Sequence, residues 1–377
     1  MQTVIEKMVF GGAALARTEQ GVVFIDGALP GEKIEYVIES KQQGVLTGKL
    51  QSVLEKSDRR RHPNCQYYDR CGGCGWLHID PQYQTDLKKD IFIDCLSRIG
   101  KLKSIPEVSL YNSPETGYRI RAQLKNDNKG NYGFFRKKSN DFVRIDYCPL
   151  LADGCNNVLE ILNKSGRVIS SDVIKIIAGS GSVASEPLIA GVTSSDTLIR
   201  VNQYTFKVQG GSFFQSNRFL TEIMGTWAIP YVNGDFCVDL YGGTGLFSIL
   251  MNRQFTKGLL VESVNSQVET ARYNFEMNSC KHCSAVCADA AALKRVVKSK
   301  PDILIVDPPR TGLDKDVRKS ILDLSPGQIV YISCNPSTQA RDVSVFVNAG
   351  YVITNAALFD CYPNTFHIET GLILKKL

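Results

Sequence analysis

Phe236-Cys237-Val238-Asp239-Leu240-Tyr241-Gly242-Gly243-Thr244-Gly245-Leu246-Phe247-Ser248-Ile249 is the stretch on which the fold turns. A short, mainly apolar run breaks at a glycine-rich turn and resumes with a helical pattern, giving strand, turn, helix. The glycines let a ligand approach the backbone at a helix amino end, where free N–H groups point outward. The turn lacks G-x-G-x-x-G spacing, so a nicotinamide dinucleotide fits poorly. Downstream, Gly258-Leu259-Leu260-Val261 is a second strand ending in Glu262. An acidic residue there is placed to hold the hydroxyl pair of a ribose. A helix is expected from Val264 to Asn278, then strands at 285–287 running to Asp289, at 302–306 and at 329–333. Strand–helix alternation from 236 to 377 predicts a doubly wound α/β unit, with its chemistry at the carboxyl ends of the strands.

Two of those ends carry reactive groups. Ile329-Val330-Tyr331-Ile332-Ser333 runs into Cys334 and turns on Asn335-Pro336, and Ile303-Leu304-Ile305-Val306 runs into Asp307-Pro308-Pro309-Arg310. A cysteine in a strand is ordinarily packing. At a sheet edge beside an acid it is also a candidate nucleophile, with Asp307 as its neighbour across the site. Cys280, Cys283 and Cys287 lie between a helix and a strand, and are read as packing rather than metal ligands.

Working back to the amino end, residues 1–56 hold several short strands joined by glycine turns, such as Asp26-Gly27-Ala28-Leu29-Pro30-Gly31-Glu32. That pattern suggests a small barrel of the OB type. The order G-G-A-A-L-A, then G-V-V-F-I-D-G-A-L-P-G-E, resembles the TRAM domain, which implies an RNA partner. The basic run 56–63 is either a solvated linker or a phosphate-contacting edge. Cys65, Cys71 and Cys74 follow, with two glycines between the last pair. Three thiols so close wrap one inorganic centre, zinc or iron–sulfur, with Cys148 before Pro149 as the candidate fourth ligand. Residues 80–100 read as a capped amphipathic helix ending at Gly100. Between Tyr118 and Lys125, apolar residues alternate with Arg119, Arg121, Gln123 and Lys125, a strand with one basic face. Cations interleaved with aromatic rings suit a nucleic acid. Further helices are expected at 154–169 and 218–232.

The totals agree with such a chain. It has 377 residues, 43% of them hydrophobic, and a net charge of +6, mild support for an anionic partner. No run approaches the roughly 18 apolar residues that span a bilayer. The first residues lack the long apolar core of a secretory leader. A cytoplasmic protein is expected, with no membrane contact and no obligate protein partner. Its twelve cysteines then mean metal, catalysis or burial rather than disulfides.

One reaction requires all of these parts. Carbon 5 of a pyrimidine is not nucleophilic, so a thiolate must first add to carbon 6, and a base must later remove the carbon 5 proton. The motifs F-F-Q-S-N (213–217), D-L-Y-G-G-T-G (239–245), D-P-P-R (307–310), S-C-N-P (333–336) and Y-P-N-T-F-H-I-E-T (362–370) together resemble the class I RNA uracil-5-methyltransferase family. The likeness extends over nearly the whole chain and points to the branch that modifies 23S ribosomal RNA and carries an iron–sulfur cluster. The resemblance implies Cys334 as nucleophile and Glu369 as base. It implies Gln215, Tyr241, Glu262 and Asp289 as contacts to S-adenosylmethionine, with Asp307 bordering both cofactor and base. It also implies a 4Fe–4S cluster on Cys65, Cys71, Cys74 and Cys148. The expected fold is a multidomain α/β chain. An OB-like TRAM β-barrel spans 1–56 and a central α+β iron–sulfur and RNA-binding domain spans 57–208. A Rossmann-like S-adenosylmethionine methyltransferase domain spans 209–377, against which the helix at 80–100 is a candidate to pack. The alternatives are a tRNA uridine-5-methyltransferase, an amino-methyltransferase using D-P-P-R as its loop, and an RNA-binding protein without turnover.

Overall fold

The computed structural model describes residues 1–42 and 44–377. The first sheet uses β1 (Gln2–Val4), β2 (Lys7–Met8), β3 (Ala14–Thr18), β4 (Gly21–Ile25), β5 (Lys33–Gln42) and β6 (Val45–Glu55), in the order β1-β5-β6-β4-β3-β2. β1 and β2 are consecutive in the chain yet sit at opposite edges. Three peptide steps hold Val4 and Lys7 within about 10 Å, whereas five flat inter-strand steps would part them by about 24 Å. The sheet therefore curls round on itself, with Ile5, Ala14, Val23, Ile25, Ile34 and Tyr36 buried inside. Buried Glu32 closes the 26–32 turn by accepting from Leu29 N and pairs with Arg60 at 2.6 Å. Arg60 is thus committed to a structural ion pair, unlike the freely exposed charge that the basic run 56–63 suggests.

Helix α1 (Pro81–Asp94) is capped by Asp80, which accepts from Tyr83 N, and one π-wound segment extends it to Ile99. After β7 (Val108–Asn112), a five-stranded antiparallel sheet has the order β10-β9-β8-β11-β12. Its strands are β8 (Arg121–Asn126), β9 (Tyr132–Phe135), β10 (Phe142–Arg144), β11 (Val173–Ala178) and β12 (Val183–Glu186). Helix α2 (Asp153–Ser165) packs on it and stops short of the expected 169, because Gly166 takes the left-handed C-cap conformation. β13 (Asp196–Val201) and β14 (Tyr204–Gln209) form a separate hairpin.

The large sheet has eight strands in the order β17-β16-β15-β18-β19-β21-β20-β7. The chain passes through α3 (Thr221–Thr226), β15 (Phe236–Leu240), α4 (Leu246–Leu250), β16 (Lys257–Glu262), α5 (Asn265–Met277) and β17 (Cys283–Cys287). It continues through α6 (Leu293–Val296), β18 (Ile303–Val306), α7 (Lys315–Leu324), β19 (Gln328–Ser333), α8 (Pro336–Asn348), β20 (Tyr351–Asp360) and β21 (Glu369–Lys376). β15 to β19 pair in parallel, and β21 runs antiparallel between β19 and β20. The strand order reverses beside β15, which puts a switch-point crevice at its glycine turn. The helix expected over 218–232 is shorter: α3 ends at Thr226 and a brief turn at Ile229–Tyr231 follows, where Pro230 lacks the amide to continue. The eighth strand, β7, comes from far upstream and pairs with β20 in parallel. α1 also reaches this unit: Cys95 Sγ lies 3.5 Å from Ser337 Oγ of α8.

Candidate active site

Four strand ends meet around one cavity of about 760 Å³. β15 delivers the glycine turn. Gly242 cannot be larger there, since an added Cβ would lie 2.4 Å from the Leu260 side chain. Tyr241 holds φ +63°, a left-handed conformation that a bulky side chain adopts only under constraint. Gly243 N donates to Glu262 Oε2 at 3.2 Å, and Glu262 Oε1 accepts from Val264 N at 2.9 Å. The turn and the acid that ends β16 are thus one rigid unit. Beneath it, Asp239 is buried and accepts from Ser248 N and Oγ through Oδ2, while its Oδ1 has no partner. Burial pushes this carboxyl up to about 6.

β18 and β19 deliver Asp307 and Cys334. Asn335 caps α8 by accepting from Ser337 N and Thr338 N, and its Nδ2 donates to Arg310 O at 2.9 Å. Thr338 Oγ1 donates to the same carbonyl, so the loop after Asp307 and the cap after Cys334 are fastened together. Asp307 faces the cavity and accepts from Gln215 Nε2 at 3.2 Å. The antiparallel register pairs Ser333 with Thr370. Cys334 and Glu369 are the residues next beyond that pair; both line the cavity, and the Glu369 charge acts on the Cys334 thiol. Thr370 Oγ1 bonds Ser333 O and Gln339 Oε1, which locks that register.

The electrostatics follow from burial. Desolvation, then the charges of Glu369 and Asp307, push the Cys334 thiol up to about 12, and Arg310 opposes them. Burial, then Asp239, lifts the Asp307 carboxyl to about 7. Burial and Asp307 hold Glu369 well above the usual carboxylate range. Burial, with Arg310, Lys88 and Arg119 nearby, brings His367 down to about 4 and keeps it neutral.

Of the residues proposed from sequence, Gln215, Tyr241, Glu262, Asp307, Cys334 and Glu369 line this cavity together. Asp289 is not among the lining residues; its carboxylate caps the turn at 290–292 through Ala291 N. Cys65, Cys71, Cys74 and Cys148 share a second cavity of about 470 Å³. Burial and the neighbouring sulfurs raise the Cys74 thiol, and burial raises Cys71 and Cys148. Among the described residues no three His, Cys, Asp or Glu side chains are gathered as a metal-ion site. Gly73, Arg119, Arg121 and Arg310 line both cavities. Arg119 and Arg121 belong by sequence to a basic strand face, and only the fold brings them to the active site. His367 and Tyr362 also line the cavity; the one local sign of this is their place in the motif that ends in Glu369-Thr370.

A doubly wound sheet with a glycine turn, an acid ending the next strand, and a thiol and two carboxyls at one carboxyl edge defines an α/β group-transfer enzyme of the methyltransferase class. The family described as tRNA (Uracil-5-)-methyltransferase matches residues 193–377. An RNA methyltransferase of Treponema denticola is 31% identical over 98% of this chain and 98% of its own. The 23S rRNA (uracil(1939)-C(5))-methyltransferase RlmD of Legionella pneumophila is 28% identical over 97% of this chain and 95% of its own. The crystal structure of a Pyrococcus abyssi tRNA (uracil-54, C5)-methyltransferase with S-adenosyl-L-homocysteine matches with a TM-score of 0.79 and 23% identity. That match covers 99% of this chain and 100% of the other, and it carries the fold. The chain belongs to the RNA (uracil-5-)-methyltransferase family. Among the described residues no helix is long and apolar enough to cross a membrane.

Proposed function

We propose that this enzyme methylates carbon 5 of one uridine in 23S ribosomal RNA, with Cys334 as nucleophile and Glu369 as base. The observation that carries the reading is that Cys334 and Glu369, the residues next beyond the Ser333–Thr370 pair of the ladder, line the same cavity as the glycine turn. S-adenosylmethionine supplies the sulfonium-bound methyl group; Gln215, Tyr241, Glu262, Asp289 and Asp307 are its contacts in this reading, with Asp289 outside the cavity lining. Cys334 adds as thiolate to carbon 6, which places negative charge on carbon 5 and lets that carbon take the methyl. Glu369 then removes the carbon 5 proton. The C5–H electron pair forms the C5–C6 double bond, and the C6–S pair returns to Cys334. A stacked uridine cannot reach the half-buried sulfur, so the base must be flipped into the cavity.

The domain plan proposed is 1–56 as a TRAM-like barrel, 57–208 as the central RNA-binding unit and 209–377 as the methyltransferase unit, in the cytoplasm. In support, Gln123 on the face of β8 that carries Arg121 and Lys125 is exposed and both cations are half-buried, and Lys125 and Arg121 lie over the rings of Phe135 and Phe213. Cation and ring in alternation suit phosphate and base. A 4Fe–4S cluster on Cys65, Cys71, Cys74 and Cys148 belongs to the same proposal. In support, the four cysteines line one cavity, and thiolates are the ligands that such clusters take. Such a cluster would tie the cysteine loop to the strand before α2. Sequence similarity over the full length to a 23S ribosomal RNA enzyme supports the substrate, with tRNA as the second reading from the family match. Mapping 5-methyluridine in both RNAs from a strain lacking the gene decides: loss from 23S ribosomal RNA supports the proposal, and loss only from tRNA overturns its substrate.

A further inference from the structure

The loop Cys361–Ile368 joins β20 to β21 and delivers Glu369, yet it has no strand or helix of its own. Its buried backbone groups need partners from elsewhere. Cys361 O accepts from Asn217 Nδ2 at 2.9 Å and Tyr362 O accepts from Lys88 Nζ at 3.1 Å. Pro363 O accepts from Tyr118 Oη at 3.2 Å and Asn364 O accepts from Trp76 N at 3.0 Å. Asn364 N donates to Gln84 Oε1 at 2.7 Å, and Arg61 donates to Asn364 Oδ1 at 2.7 Å. Apart from Asn217, every one of these partners comes from the first third of the chain.

The next contact reaches the curled N-terminal sheet. Phe366 packs against its core, and a Cβ added at Gly12 would lie 2.7 Å from the Phe366 side chain. A Cβ at Gly75 would meet the same ring at 4.0 Å. Trp76, 1% exposed, donates from Nε1 to Gly12 O at 3.2 Å while its own N–H holds Asn364. The ring of Phe366 is therefore seated between the first sheet and the cysteine loop, three residues before Glu369 and outside the lining of the catalytic cavity.

We infer that Phe366 is a positioning residue for proton removal at carbon 5, and that the N-terminal sheet, through Gly12 and Trp76, sets the aim of Glu369. The inference rests on Glu369 as base. Thiolate addition and methyl transfer need Cys334 and the glycine-turn pocket; this loop adds Tyr362, Thr365 and His367 to the cavity wall, but it runs directly into Glu369, the group that proton removal needs. Proton abstraction needs the carboxylate in register with the C5–H bond, where a misplacement of about 1 Å costs about 100-fold. A loosened loop thus stalls the reaction after methylation, with RNA still bonded to Cys334.

The test mixes full-length Phe366→Ala with RNA and S-adenosylmethionine and follows the covalent methylated adduct on denaturing gels beside turnover. The expected result is an accumulating adduct, turnover down about 100-fold, unchanged affinity for RNA and S-adenosylmethionine, and recovery in Phe366→Tyr. Glu369→Gln is the control. If it builds no adduct, the assignment of the base is at fault. If it builds adduct while Phe366→Ala turns over normally, or fails without adduct, the inference is overturned. Should Phe366→Ala not fold, Trp76→Phe decides, since it keeps an aromatic ring while losing the bond to Gly12 and part of the indole packed under Lys88: accumulated adduct supports the inference and normal turnover overturns it.

Discussion

Replacing Arg310 by glutamine removes the cation that opposes Glu369 and Asp307 at Cys334. The loop survives, because Asn335 and Thr338 hold the Arg310 carbonyl and not its guanidinium. The side chain is exposed, so the interaction must be discounted for solvent. For so exposed a cation the lost attraction is at most about 1 kcal/mol. A cation favours the thiolate, so its loss raises the thiol titration, by at most about 0.7 pH units. At neutral pH the thiolate fraction falls by at most about fivefold. The assay is alkylation of Cys334 by iodoacetamide without RNA, read on the isolated peptide by mass spectrometry across the alkaline range. Omitting RNA separates this effect from any phosphate contact that Arg310 makes. An Arg310→Gln profile identical to wild type, or a deficit that alkaline pH does not recover, would refute the electrostatic account.

Asp307 titrates near 7 when folded against 3.8 for the free side chain. The folded value is the higher one, so stability is lost as pH rises through neutrality. Asp307→Asn is expected to be inactive yet to unfold about 1–4 kcal/mol harder than wild type above neutral pH, with the gap closing toward pH 4; thermal unfolding at both extremes checks it. Lys88 and Asp360 form a buried pair at 2.6 Å. Lys88→Met is expected to cost about 3–5 kcal/mol in denaturant unfolding, much of it recovered by adding Asp360→Leu. Resolution of the methylated adduct is expected to speed as pH rises above the usual carboxylate range, because Glu369 must be ionised and is held above that range; a rate for that step that is flat from acid pH upward counts against it as base.

Local pattern made much of this molecule legible. The apolar run ending in Cys334 predicts the strand, and the turn expected at Asn335-Pro336 is in the fold the capped start of α8. The alternation from Tyr118 to Lys125 separated buried from open faces correctly, since Ala122 and Leu124 are buried while Gln123 is exposed. Tertiary partners were not legible. Val108–Asn112 has the composition of a strand, but nothing local says that it pairs with β20, more than two hundred residues on. Arg119 belongs to a basic face by sequence, and only the packing of two units around it places it between the two cavities. Asp289 answers two signals at once: a strand-end acid is expected as a cofactor contact, and in the fold the same carboxylate also caps the turn at 290–292.

The central claim is that Cys334 becomes covalently bonded to the substrate base. RNA carrying 5-fluorouridine at the target has no proton for Glu369 to remove, so the thioether cannot be released. Incubation with S-adenosylmethionine, digestion and mass spectrometry of the trapped peptide test this directly. The account predicts one methylated fluorouridine bonded at Cys334 and none in Cys334→Ala. Full methylation of ordinary substrate by Cys334→Ala, or trapping at a different cysteine, contradicts it.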